Sequence, residues 1–178
     1  MEGASTTVGS NVLTETERLI ITEFDVSMAE CVHLNSLDED NRNFVPDEVF
    51  ETVQEAEETI GFLMECYKGT EGPFVYPVLL KNGENIGYVQ AVPIGDQWEV
   101  GYHIAARYTR NGYASEALEA FLLVIMTRLG IERIWGVCRE DNRASRRVLE
   151  KCSFALVSCQ TGVYHGQEHV VCKYVYAL

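Results

Sequence analysis

The stretch GYHIAARYTRNGYASEALEAF, Gly101 to Phe121, decides the fold. It begins with strand-type residues, breaks over Arg107 to Asn111, and resumes with helical spacing. Ala117, Leu118, Phe121, Leu122 and Ile125 fall along one side, which predicts a helix over 113–129. No proline or acidic side chain crowds its entry at Arg110, Asn111 and Gly112. The first turn of a helix carries unpaired N–H groups and a partial positive charge. Gly112 lets a ligand approach the backbone, and Tyr113 and Ala114 open the turn with the small Ala114 keeping it narrow. Arg110 adds a full charge. These residues form a cradle suited to a pyrophosphate. An ordinary loop, with Gly112 present only for its dihedral freedom, accounts for the local sequence equally well. There is no Walker lysine, so this is not a P-loop.

Outward from this stretch the pattern is mixed. TERLIITEF reads as a first strand, and DVSMAECVHLNSL as a helix with Ser27 as a candidate N-cap. VPDEVFETVQEAEETIGFLMECYK reads as a short helix and a longer one, with Pro46 in a first turn and Thr52 as a cap. Phe74 to Leu80 and Ile86 to Ile94 are β-type runs joined by the hairpin signal Asn82-Gly83. DQWEVGYHIA continues the meander, IERIWGVC is a buried strand, and DNRASRRVLEKC is a helix. FALVSCQ and EHVVCKYVYAL close the chain as a hairpin. The prediction is an α+β fold: a mixed, mostly antiparallel sheet of about seven strands flanked by helices. The helix over 113–129 connects two strands as a crossover, so those strands should run parallel. If they splay, the gap opens beside the helix N-terminus.

The 178 residues suit one domain, expected over 13–178 behind a flexible tail at 1–12. No apolar run reaches the roughly eighteen residues of a membrane span, so no membrane partner is expected. A formal charge of −13 argues against nucleic acid as a partner. The acidic excess concentrates between Asn35 and Ile60, read as a solvated helix face ahead of a rim that attracts cations. Six cysteines form no CxxC pair and no metal-ligand spacing, so no metal is expected. Without an export signal, reduced thiols in a cytoplasmic protein are the expectation. Oligomeric state is not legible, and a homodimer is an open expectation.

GYHIAARYTRNGYASEA followed by IWGVCREDNRASRRVLEKCSF resembles the GNAT superfamily of N-acetyltransferases. The resemblance is strongest to the RimJ/RimL branch, which acetylates ribosomal-protein N-termini. It rests on Thr109 to Ala114, on Asn142, Ser145, Glu150, Lys151 and Phe154, and on TERLIITEF. Thr109 stands where the family prefers Gln or Arg, and Ser153 where it has Gly.

The resemblance implies acetyl-CoA as co-substrate, a splayed parallel strand pair at its site, and aminolysis of the thioester by a primary amine. The acceptor it implies is a protein N-terminus; a polyamine, amino acid or aminoglycoside is the alternative. A non-catalytic acyl-CoA-binding module is the third. Glu99 is the candidate base, with a solvent-facing strand residue as the plainer reading. A strand N–H between Tyr102 and Ile104 is the implied oxyanion donor, and His103 a channel-lining residue. Ser145 can assist the departing thiolate. Asn142 can bond the pantetheine arm or cap its own helix. Tyr164 and the final hairpin are the expected acceptor wall.

Overall fold

The structure, a computed structural model, describes residues 11–178. Of the expected tail, positions 1–10 lie outside the described residues; Val12 already pairs with Thr22. The elements run β1 (Val12–Glu15), β2 (Leu19–Thr22), α1 (Ala29–Ser36), α2 (Glu39–Phe44), α3 (Val53–Cys66), β3 (Phe74–Leu80), β4 (Asn85–Ile94) and β5 (Gln97–Ile104). They continue with α4 (Tyr113–Leu129), β6 (Arg133–Arg139), α5 (Arg143–Lys151), β7 (Ala155–Tyr164) and β8 (Gln167–Ala177). All eight strands form one sheet in the order β1-β2-β3-β4-β5-β6-β8-β7. The expected α+β sheet is therefore present with one strand more than foreseen. TERLIITEF supplies only β2, and the residues before it fold back as β1.

β3 shows why the sheet is covered on both faces. Phe74, Tyr76 and Val78 point into a core shared with Leu118, Phe121 and Ile125 of α4. Val75 joins Ala56, Ile60 and Leu63 of α3 on the other side. The two-residue period of a strand meets the 3.6-residue period of a helix on each face. Helix entry differs from expectation at one place: Asp25, not Ser27, caps the turn before α1, its carboxylate accepting from Ser27 N at 2.9 Å. Thr52 caps α3 as expected, accepting from Glu55 N at 3.2 Å.

The crossover β5–α4–β6 gives the parallel pair the sequence implied. Its register is confined to Glu99 with Trp135 and Val100 with Gly136. β4 stays paired with β5 through Ile104, and β6 with β8 through Arg139. The edge of β5 from Gly101 to Ile104 that faces β6 therefore has no strand partner. α5 packs closely on β6: a Cβ at Gly136 would fall 2.6 Å from Leu149 Cδ2. Ser153 ends that helix in the left-handed region (φ 67°), where glycine is the commoner residue.

The expectation of six reduced thiols is corrected. Cys159 and Cys172 face each other in the β7–β8 register with Cα atoms 4.1 Å apart, and they form a disulfide. Their separation of 13 residues carries no recognised spacing; the hairpin register brings them together. Cys31, Cys66, Cys138 and Cys152 are free. No described helix is long and apolar enough to cross a membrane.

Candidate active site

Two left-handed residues, Arg110 (φ 65°) and Gly112 (φ 80°), turn the chain into α4. Asn111 holds the turn, its side-chain amide donating to the Tyr108 and Thr109 carbonyl oxygens at 3.0 and 3.1 Å. Space above Gly112 is bounded by cations: a Cβ there would lie 3.6 Å from Arg18 Nη2 and 4.0 Å from Lys151 Nζ. Arg18 donates to the Asn111 carbonyl at 3.0 Å, pairs with Glu116 at 2.5 Å and lies over the Tyr113 ring at 4.5 Å. Helix N–H groups, a left-handed entry and the basic side chains of Arg18 and Lys151 thus converge. Arg18 was not found from the sequence, because the turn between β1 and β2 gives no local sign of facing α4. The Thr109 hydroxyl is spent on the loop itself, donating to the Ala106 carbonyl at 2.8 Å.

From this corner a cavity of about 480 Å³ runs through the gap between β5 and β6. Ala114, Ile104, Tyr102, Asn142 and Ser145 line its helical side. Asn142 caps α5, accepting from Ser145 N at 3.1 Å. The Ser145 hydroxyl lies 2.8 Å from Tyr102 Oη, which also donates to the Ser145 carbonyl at 2.9 Å. Burial raises the Tyr102 phenol far above its ordinary range, with the Ser145 hydrogen bond opposing. Burial pushes the nearby Cys138 thiol up to about 11, so it stays protonated at neutral pH.

Alternation along β5 puts Glu99, Gly101 and His103 on the opposite face. Glu99 sits beside Trp135, and Lys173 Nζ lies 4.0 Å from the Trp135 ring centroid. Burial pushes the Glu99 carboxyl up to about 7, against the pull of Lys173 and His165. This is the range of a general base working near neutral pH. His103 lines the cavity, with Nε2 3.6 Å from Asp38 Oδ2 and its ring beside Tyr88. Burial lowers its pKa, favouring the neutral ring.

The outer wall joins two distant segments. Pro46–Glu48 forms a short 3-10 turn, and Asp47 Oδ2 meets His165 Nδ1 of the β7–β8 turn at 2.6 Å. Tyr164 beside it lines the cavity, its phenol pushed up to about 12 by burial and by Glu99. Glu48 also faces the cavity, although the acidic segment was expected to be a solvated face. That segment divides: Glu51 pairs outward with Arg42, while Asp38, Asp40 and Glu48 turn toward the site. A charge run with helical spacing shows no difference between these two fates. Of the expected cradle only Ala114 lines the cavity; Arg110, Asn111, Gly112 and Tyr113 do not. Among the described residues no group of three His, Cys, Asp or Glu side chains is placed to hold a metal ion.

The model of the acetyltransferase (GNAT) domain family matches residues 18–155, and the chain belongs to this family. An uncharacterized N-acetyltransferase of Bacillus subtilis, YnaD, is 29% identical over 139 residues, which is 76% of this chain and 78% of YnaD. A GNAT-family acetyltransferase from Bacillus anthracis superposes with a TM-score of 0.77 at 25% identity, covering 92% of this chain and 96% of its own. RimL, a ribosomal L7/L12 α-N-protein acetyltransferase solved with coenzyme A, superposes with a TM-score of 0.81 at 21% identity. That match covers 94% of this chain and 98% of RimL.

Proposed function

We propose that this member of the GNAT acetyltransferase family transfers an acetyl group from acetyl-CoA to a primary amine, foremost the α-amino group at a protein N-terminus. The observation that carries this reading is Glu99, a half-buried carboxyl at the splay whose pKa is pushed up to about 7 by its loss of solvent. An α-amine has a reference pKa of about 7.7–8, so the proton moves between nearly matched groups. A lysine amine, near 10.4, would give up its proton uphill by about three units.

Acetyl-CoA supplies the activated acyl group as a thioester. Arg110 to Ala114, with Arg18 and Lys151, would hold its pyrophosphate against the α4 N-terminus. Asn142 and the gap beside Tyr102 suit the pantetheine arm. The unpaired edge of β5 from Gly101 to Ile104 offers an N–H to the carbonyl oxygen as negative charge develops. Glu99 takes the proton of the acceptor ammonium, and the neutral amine attacks the acyl carbon. The C–N bond forms as the C–S bond breaks, and the proton shed by the acylated nitrogen goes to the departing sulfur, so that CoA leaves as the thiol. Tyr102 and Ser145 stand where a hydroxyl can assist the departing sulfur. The free thiol has a reference pKa of about 8.5, so that assistance is small.

A second reading, acetylation of a small cationic amine, is favoured by the Asp47–His165 contact, which ties the Pro46–Glu48 turn to the β7–β8 turn beside the cavity. The experiment is acetylation of a peptide library and an amine panel by the purified protein. Unblocked peptides should gain acetyl at the α-amine. Acetylation of small amines alone would favour the second reading. Transfer to neither would overturn the proposal.

A further inference from the structure

Glu48 is held in the acceptor wall in an unusual way. Its Oε1 accepts from Gln90 Nε2 at 3.0 Å. Its Oε2 is shut off from solvent and has no hydrogen-bond partner among the described residues. The arrangement is built rather than incidental. Gln90 lies across Gly101, where any Cβ would fall 2.5 Å from Gln90 Nε2, so only glycine lets Gln90 lie there and reach Glu48. Glu48 N donates to the Val45 carbonyl at 2.9 Å, and the next residue back, Asp47, is tied to His165.

No described lysine or arginine pairs with Glu48. Lys173 lies over Trp135 beside Glu99, Arg139 pairs with Asp141, and the His165 ring is bonded to Asp47. A carboxylate removed from water without a counter-charge is costly, and a bound cation relieves that cost. Burial raises the pKa of Glu48, against the Gln90 hydrogen bond and the neighbouring His165.

We propose that Glu48 anchors a second positive charge on the acceptor, so that the molecule acetylated carries a cationic group close to its reacting amine. This rests on the amine-acetyltransferase reading above, with Glu99 serving the reacting amine. The second charge is a basic side chain near the N-terminus of a peptide, or the far ammonium of a small diamine. Glu48 is a positioning residue: it selects and orients the acceptor and takes no part in the bond changes.

The test compares paired acceptors that differ in one charge: diaminobutane against butylamine, and a Ser-Lys peptide against its Ser-norleucine counterpart. The wild type should prefer the dicationic member of at least one pair by about ten- to a hundredfold in kcat/KM, carried by KM. The pair that shows the preference identifies the source. Glu48→Gln should bring the ratio toward one, and Glu48→Asp, which keeps the charge, should restore part of it. A wild-type ratio near one for both pairs, or a ratio untouched by Glu48→Gln in a folded protein, overturns the inference. Calorimetry of diaminobutane and of the lysine peptide binding to the CoA-loaded protein separates this from the reaction itself. Binding that weakens in Glu48→Gln supports the anchor even without turnover, whereas absence of thiol release from every amine defeats only the acetyltransferase reading. Binding of both that is absent, or equal in wild type and Glu48→Gln, defeats the anchor.

Discussion

Tyr102 and Ser145, 43 residues apart, are joined by hydroxyl-to-hydroxyl contact at 2.8 Å across the gap between β5 and α5. Tyr102 Oη also reaches the Ser145 carbonyl at 2.9 Å, and either hydroxyl can be the donor in the contact between the two. The two hydroxyls should act as one unit. Ser145→Ala and Tyr102→Phe should each lower kcat by about tenfold or less, since a thiol leaving group needs little help. The double variant should be no worse than the poorer single one. Steady-state kinetics on the four proteins checks this; losses that multiply would show independent roles.

Glu99 should cost the folded protein stability at high pH. Burial pushes its carboxyl from the ordinary value of 4.5 up to about 7. Between those values the folded state keeps a proton that the unfolded chain has lost, so stability falls as pH rises through the window. Glu99→Gln carries no charge at any pH. It should be more stable than wild type above pH 7, by up to about 3 kcal/mol, and the gain should vanish near pH 4.5. Urea unfolding at both ends of the window measures the difference. An equal gain at both would assign the effect to packing.

Acetyl-CoA affinity should depend on the entrance to α4. Gly112 has φ 80°, a conformation that valine adopts only with strain, and its open side faces Arg18 and Lys151. Gly112→Val should abolish acetyl-CoA binding in calorimetry. Arg18→Ala should weaken it by about tenfold or more. Unchanged affinity in both folded variants would move the pyrophosphate elsewhere.

Alkylation without reductant, followed by mass spectrometry, should modify Cys31, Cys66, Cys138 and Cys152 under denaturing conditions. Cys159 and Cys172 should appear as a linked pair. Six modified thiols would show the hairpin reduced.

Much of this architecture was legible because it is local. α4 followed from a run of apolar positions along one side, and the parallel pair from the crossover connection between its strands. The Asn82-Gly83 turn fixed its hairpin for the same reason. Glu99 could be nominated from the family resemblance, but its environment could not be read. What stayed hidden is set at long range. Cys159 meets Cys172 through register, Arg18 meets Glu116 across 98 positions, and Glu48 meets Gln90 across 42. Each is a polar residue whose burial or pairing comes from a partner outside any sequence window.

The central claim is that this chain acetylates a primary amine with Glu99 as the base at the β5–β6 gap. Initial rates of thiol release with acetyl-CoA and an unblocked peptide, measured for wild type and Glu99→Gln from about pH 6 to pH 9, address it most directly. The account predicts a kcat loss of about 10²–10⁴-fold near neutral pH, shrinking at alkaline pH where the amine is already neutral, with acetyl-CoA affinity unchanged. Wild-type turnover by Glu99→Gln across the whole range would contradict it, leaving Glu99 a strand residue and the reaction to the positioning of two substrates alone.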